Sequence, residues 1–432
     1  MPELNIKTSL IKVLGPLSDA AVRRFVLRKL TADDKREQSS HVVLAPSSRG
    51  NLGDEAMLTS TITTLRAMSS LPVTVLCHRT DDDWSHIDPS ITQVSIEGFF
   101  SPALWAHASD QLVSTLKRAR TFSVLGADIM DGAYSSSRTF RRLLMLEVAL
   151  KLGVDATILG FSYSDKANPD SMAYLSRLGP NVTKYARDPL SFERLRRICS
   201  DRLELVADTA FLLRPSDSLS EQMAVLTGKI AELRTQGKKI IAFNANPLGA
   251  AMSAGAKRGN ESVSGLDSLV QRNVESILRS DPAIHLIAIS HDPREPHSDA
   301  RVLEDVAASL PADISARFVL ATRGISARDV KLLCSMTDLV VTGRMHMGIA
   351  ALGTATPCYF LDFQGKVRGL LRHFEIEEMC CDWATYSSPE LYSEQVTRFL
   401  KESPHYKEKL AARLPSIKQL AAKNFERFKD QV

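Results

Sequence analysis

Leu339-Val-Val-Thr-Gly-Arg-Met-His-Met-Gly-Ile-Ala-Ala-Leu-Gly353 decides how the chain is read. Leu339 to Thr342 are apolar or β-branched throughout, the pattern of a buried strand. Gly343 then turns the chain, and Met347 to Leu352 are small and apolar enough for a helix that stops at Gly353. A second strand, Tyr359 to Asp362, leads into Gln364-Gly-Lys-Val-Arg368. Strand, turn, helix and strand in that order indicate an open α/β sheet, in which ligands bind beyond the carboxyl ends of the strands. Arg344 and His346 fall at that place. On an extended turn, side chains two apart face the same way, so both are expected to point at one ligand. Lys366 and Arg368 repeat the spacing in the next loop. A guanidinium fork suits carboxylate and phosphate oxygens, and an imidazole moves protons near neutral pH. The structural alternative is that Arg344 and His346 only cap the sheet and that Lys366 and Arg368 are solvated loop charges.

Upstream, the first core strand reads as His41-Val-Val-Leu-Ala45, followed by Pro46-Ser-Ser-Arg-Gly-Asn-Leu-Gly-Asp-Glu-Ala-Met-Leu58. This is a glycine-containing loop that runs into a helix. Its glycines let backbone approach a ligand, and a helix N-terminus favours anions. The spacing is not that of a dinucleotide-binding loop. Asp54 and Glu55 already occupy the positive helix end, so one of them suits a sugar hydroxyl, with a plain helix cap as the alternative for Asp54. Further strands are expected at Pro72 to Cys77, Thr121 to Leu125, Val154 to Phe161 and Val182 to Ala186. Asp128, in the turn Gly126-Ala-Asp-Ile-Met-Asp-Gly132, is a second candidate carboxylate or a turn former. Asp188 before Pro189 reads as a helix N-cap, and Arg187 just before it is expected to be free to reach a ligand.

Three of these stretches together resemble the polysaccharide pyruvyl transferase family. They are Gly343-Arg-Met-His-Met-Gly-Ile-Ala-Ala-Leu-Gly-Thr-Ala-Thr-Pro357 with Lys366 and Gly369 beyond it, Gly50-Asn-Leu-Gly-Asp-Glu-Ala-Met-Leu58, and Arg187-Asp-Pro-Leu-Ser191 with Ala207-Asp-Thr-Ala-Phe-Leu-Leu213. The chain departs from the family where a run of glycines is usual, since only Gly126 and Gly132 remain around Asp128. The resemblance implies two Rossmann-like domains facing a cleft, similar to the glycosyltransferase B fold. It also implies phosphoenolpyruvate as donor, a sugar acceptor that is lipid-linked or part of a glycan, and a pyruvate ketal as product. No step of that chemistry demands a metal, and no cofactor is expected. Donor contacts map onto Arg344 and His346. With this chemistry His346 is the expected acid, and Asp54 or Asp128 the base. Arg344, Arg187, Lys366 and Arg368 would hold the anionic donor, with Asn51 and Gly53 of the first motif lining the substrate. A nucleotide-sugar-dependent glycosyltransferase of the same fold and a non-catalytic glycan-binding relative are the alternatives.

Composition agrees with an ordinary globular protein. Its 432 residues are long for one core, and 44% apolar with 24% charged residues fit neither a disordered nor a membrane-spanning chain. A net charge of +4 argues against a dedicated nucleic-acid binder but permits an anionic small substrate. Six cysteines lack paired metal-ligand spacing and suit reduced thiols, and the spacing of His285, His291 and His297 suggests no metal cage. No secretory signal is legible at Met1-Pro-Glu-Leu-Asn5, which makes a cytoplasmic enzyme the expectation, with the inner face of the membrane as a possible station. The basic, apolar stretch Lys7 to Leu30 either touches an anionic membrane or packs on the adjoining domain. The expected order is an arm over 1–40, a Rossmann-like domain over 41–214, and a linker at Pro215 to Ser220. A second such domain over 221–387, carrying the Arg-x-His motif, and a charged helical segment over 388–432 complete it. Asn246 to Ser264, rich in Gly, Ala and Ser, reads as a mobile loop at the ligand site.

Overall fold

Short β-branched runs separated by amphipathic helices become parallel strands, because each helical crossover returns the chain to the same end of the sheet. The computed structural model describes residues 19–30, 37–101, 105–247, 266–295, 298–362 and 366–429. Among these, the residues within Met1–Arg49, Met57–Thr209 and Leu420–Val432 form one unit, and those within Gly50–Ala56 and Ala210–Gln419 form the other.

In the first unit the strands are β1 (Ser40–Leu44), β2 (Val73–Cys77), β3 (Thr92–Ser95), β4 (Ala119–Ala127), β5 (Asp155–Phe161), β6 (Val182–Ala186) and β7 (Leu203–Leu205). They pair in the order β3-β2-β1-β4-β5-β6-β7, and every pairing is parallel. β1 and β2 are buried along their whole length, the polar Ser40, His41 and Thr74 included. Helices Trp105–Lys117 and Ser136–Lys151 supply Leu112, Leu116, Leu143 and Leu146 to the core on this sheet. β3 and β7 were not anticipated in the sequence. Both are half-exposed edge strands without an apolar run.

The second unit has β8 (Lys239–Phe243), β9 (Ile284–Ile289), β10 (Phe318–Ala321), β11 (Leu339–Thr342), β12 (Cys358–Leu361) and the two-residue β13 (Cys380–Cys381). Their order is β10-β9-β8-β11-β12-β13, again all parallel. Strand order thus reverses between β1 and β4 in one sheet and between β8 and β11 in the other. At such a reversal the loops leaving the two strands diverge and open a crevice.

Of the arm, residues 19–28 form a helix. It buries Val22 and Val26 and joins helix Ser136–Lys151 through Arg23 to Glu147 (2.8 and 2.6 Å) and Asp19 to Arg141 (2.7 Å). Its described part therefore packs on the first unit, the second of the two readings offered for it, and the rest of the arm falls outside the described residues, as does most of the stretch Asn246 to Ser264. Among the described residues no helix is long and apolar enough to cross a membrane.

Candidate active site

Both ends of the second-sheet reversal carry polar residues, because a strand that leaves the core must satisfy its backbone in the crevice. Asn244 and Asn246 follow β8, while Gly343 and Arg344 follow β11. Asn246 Nδ2 donates to the Gly343 carbonyl at 2.7 Å, tying the two loops together. Thr342 donates its hydroxyl to Asn244 Oδ1 (3.1 Å) and accepts from the Arg344 backbone N–H (2.9 Å).

At the centre lies Asp299, fully buried at the start of helix Asp299–Ser309. Its Oδ1 accepts from Arg344 Nη2 at 2.5 Å. Its Oδ2 accepts from Arg344 Nε (3.3 Å), Asn244 Nδ2 (3.0 Å) and the backbone N–H groups of His291 and Asp292 (both 3.1 Å). Burial pushes this carboxyl up and the Arg344 guanidinium pulls against it. With five donors facing it, only the ionised form matches its surroundings. Asp292 is the second carboxylate. It accepts from Arg294 Nε (2.8 Å) and Nη2 (2.9 Å) and from Asn51 Nδ2 (3.0 Å), and lies 3.6 Å from Arg344 Nη1. Although burial works the other way, these cations hold its carboxyl below the usual range. For Arg344 burial likewise opposes the charge, but Asp299 and Asp292 outweigh it and the guanidinium stays charged.

The glycine loop enters the same cluster. Gly50 has φ 116°, and a Cβ there would lie 2.9 Å from Arg294 Cγ, so glycine answers both the conformation and the close approach. Asn51, rather than Asp54, caps helix Leu52–Met68: its Oδ1 accepts from the N–H groups of Gly53 (2.8 Å) and Asp54 (3.1 Å). Those two donors are thus already used, which adds to the acids of the first turn in turning an anion away from this helix end. Asp54 sits in the first turn, and its charge acts on Arg294. Glu55 is buried and accepts from the Ala327 N–H at the start of helix Ala327–Ser335, a structural cap. Gly53 touches His346, and a Cβ there would fall 2.6 Å from His346 Nδ1.

The Arg-x-His motif differs in conformation from the extended turn expected. Arg344 is the extended N-cap residue, but His346 already belongs to helix Met345–Leu352. Arg344 therefore turns toward Asp299 and His346 toward Gly53. His291 adjoins both. It is buried, its Nδ1 has no hydrogen-bond partner among the described residues, and burial together with the charges of His346 and Arg344 lowers its pKa to about 3, so it is neutral. His291, His346 and Lys331 line one small internal cavity with Leu52 and Ala350.

Lys366 and Arg368 also depart from expectation, since residues 366–372 are helical and two positions on a helix point to different faces. Lys366 is buried, whereas the Arg368 side chain is 56% exposed and pairs with Asp362 at 3.3 Å. In the first unit Arg187 corrects a further expectation. It is not free: its side chain is 3% exposed, Nη1 donates to Asp208 at 2.6 Å and Nε to Ser162 Oγ at 2.7 Å. A guanidinium at a buried strand end needs such a counter-charge. Asp188 caps its helix by accepting from the Ser191 N–H, as expected. Asp128 is half-buried and accepts from the Tyr134 hydroxyl at 2.9 Å. Among the described residues no cluster of three or more His, Cys, Asp or Glu is placed to hold a metal.

Asp299, Asn244 and Arg294 escaped the sequence reading. Asp299 follows Ser298 in the pattern of an ordinary helix start, and Asn244 gains meaning only once β8 is known to lie beside β11.

Residues 51–364 match the family model described as Polysaccharide pyruvyl transferase. No curated protein matches the chain. Among solved structures, the fold is similar to UDP-GlcNAc 2-epimerase from Neisseria meningitidis bound to UDP-GlcNAc, with a TM-score of 0.53 at 10% identity over 90% of this chain and 99% of that one. It is also similar to the S. aureus MnaA–UDP co-structure, with a TM-score of 0.58 at 12% identity over 89% and 94%. A UGT transferase from Siraitia grosvenorii in complex with UDP gives 0.56 at 13% identity over 91% and 99%. At such identities the likeness concerns the fold, two parallel α/β lobes of the glycosyltransferase B type.

Proposed function

We infer this protein's reaction from its family: the chain belongs to the polysaccharide pyruvyl transferases, and the match extends over most of its length. It is a transferase acting on a sugar or glycan. The donor we propose is phosphoenolpyruvate, and the product a cyclic pyruvate ketal. In the first step a sugar hydroxyl adds to C2 of the enol, its proton leaves to a base, and a proton arrives at the methylene to make a methyl group. In the second step a neighbouring hydroxyl forms a bond to C2 as the C2–O bond to phosphate breaks, and its proton leaves with the departing phosphate, closing the ketal and releasing inorganic phosphate. Both steps develop charge on donor oxygens that a fixed cation stabilises.

The observation that carries this reading is that the family match includes the segment after β11, at the β8–β11 reversal, that carries Arg344 and His346. Arg344 would hold the donor's carboxylate or phosphate, and His346 would protonate the methylene. Asp54, one residue from the glycine that packs on His346, is our choice of base. Lys366 would assist the donor. Arg187, engaged by Asp208, is better assigned to holding its own strand end.

The test is phosphate release from phosphoenolpyruvate in the presence of a panel of acceptor sugars, with the ketal identified by NMR. His346→Ala is expected to abolish turnover while keeping donor binding. Arg344→Ala is expected to weaken donor binding by roughly ten- to a hundredfold, the worth of a charge-assisted hydrogen bond. Equal loss of binding in the two variants would contradict this division of roles.

A further inference from the structure

We propose that Asp299 is a positioning residue for the donor site, fixing the plane of the Arg344 guanidinium; the proposal rests on the reading of Arg344 as the donor's anchor. Four observations support it. Asp299 is fully buried and touches Arg344 through both of its oxygens, which fixes the fork in rotation as well as position. The carboxylate is itself held by Asn244 Nδ2, and Asn244 in turn is held by Thr342, the residue two before Arg344. The loop leading to Asp299 is closed reciprocally: His291 and Asp292 donate to its carboxylate, and its own N–H donates to the Asp292 carbonyl at 3.0 Å. Finally, among the described residues Arg344 Nη1 approaches a carboxylate, Asp292, only at 3.6 Å, so this nitrogen, rather than Nε or Nη2, is the one left to meet an anion.

Charge and geometry make opposite predictions here. Removing a carboxylate beside an anion site lessens repulsion, so a purely electrostatic Asp299 would weaken anion binding and its loss would tighten it. A positioning Asp299 does the reverse, because a guanidinium freed in a crevice must be ordered again by the ligand.

The experiment is a double-mutant cycle on the whole protein, with phosphoenolpyruvate binding measured by calorimetry and folding followed by circular dichroism. Asp299→Asn alone is expected to weaken binding by roughly five- to twentyfold, and in an Arg344→Ala background to change it less than about twofold. Tighter binding in Asp299→Asn, or the same loss in both backgrounds, overturns the positioning role. Should Asp299→Asn fail to fold, Arg344→Lys decides. It keeps the charge but cannot make the two-point contact, and is expected to bind as weakly as Arg344→Ala; binding as in the wild type overturns the proposal. Wild-type binding in Arg344→Ala would instead remove the donor-anchor reading itself.

Discussion

A single missing methyl group keeps His346 where it is. Because a Cβ at Gly53 would lie 2.6 Å from His346 Nδ1 and 2.7 Å from its Cβ and Cγ, Gly53→Ala must push the ring aside. Measured well below the variant's melting temperature, turnover is expected to fall by at least about tenfold, since on the proposed role of His346 a small displacement of the acid is costly; wild-type turnover would take His346 out of the reaction. His291 governs a different observable. Its folded pKa of about 3, set by burial, lies below the value near 6.5 of an unfolded chain. Below pH 6.5 the unfolded chain takes up a proton that the folded site refuses, so this contribution to stability is complete above 6.5 and declines as pH falls toward 3. The slope reaches about 1.4 kcal/mol per pH unit, or about 2 kcal/mol lost by pH 5. Melting temperature between pH 7 and 5 should accordingly drop more steeply in the wild type than in His291→Gln, and parallel profiles would contradict a neutral His291.

At the scale of elements, the fit of helix Met345–Leu352 on β12 is set by another glycine. A Cβ at Gly348 would come within 2.0 Å of Cζ of the buried Phe360, which has no room to retreat. Gly348→Ala should cost about 1–3 kcal/mol as overpacking, read as a lower melting temperature and restored in part by adding Phe360→Leu. This helix and its flanking strands were legible because each is a local pattern: β11 and β12 begin and end within a residue of their apolar runs, and Asp188-Pro189 announced its own cap. The edge strands β3, β7 and β13 were not, since an edge strand needs no continuous apolar run. Site residues divide along the same line. Arg344, His346 and Asn51 could be picked out within motifs, whereas Asp299 and Asn244 come from β-α connections 45 and 100 positions upstream of Arg344 in sequence, and only the strand order β9-β8-β11 brings them to it. Arg187 was misjudged for the same reason, because Asp208, its partner, is 21 positions away and Ser162 25.

For the molecule as a whole, the chain completes its first unit only with its last described helix and turn, since residues 420–429 return to it. Asn424 fastens that return: its Oδ1 accepts from the Gly160 N–H and its Nδ2 donates to the Ala207 carbonyl, both at 2.9 Å. Asn424→Ala would strand two buried backbone groups, at a cost of about 1–3 kcal/mol each. A lower midpoint in denaturant with an unchanged slope is the expected result, and an unchanged midpoint would mean that water replaces the amide. Family membership and the placing of Arg344 at the strand reversal together point to an anionic enolpyruvyl donor, and one measurement bears on that most directly. Thermal unfolding of the wild type and of Arg344→Ala should be followed with phosphoenolpyruvate and, at matched ionic strength, with uridine diphosphate. At about a hundred times its dissociation constant, phosphoenolpyruvate should add about 2.7 kcal/mol and raise the wild-type midpoint by several degrees. The rise should vanish in Arg344→Ala. A shift with uridine diphosphate alone, or one with phosphoenolpyruvate that survives the loss of Arg344, would contradict the donor site described.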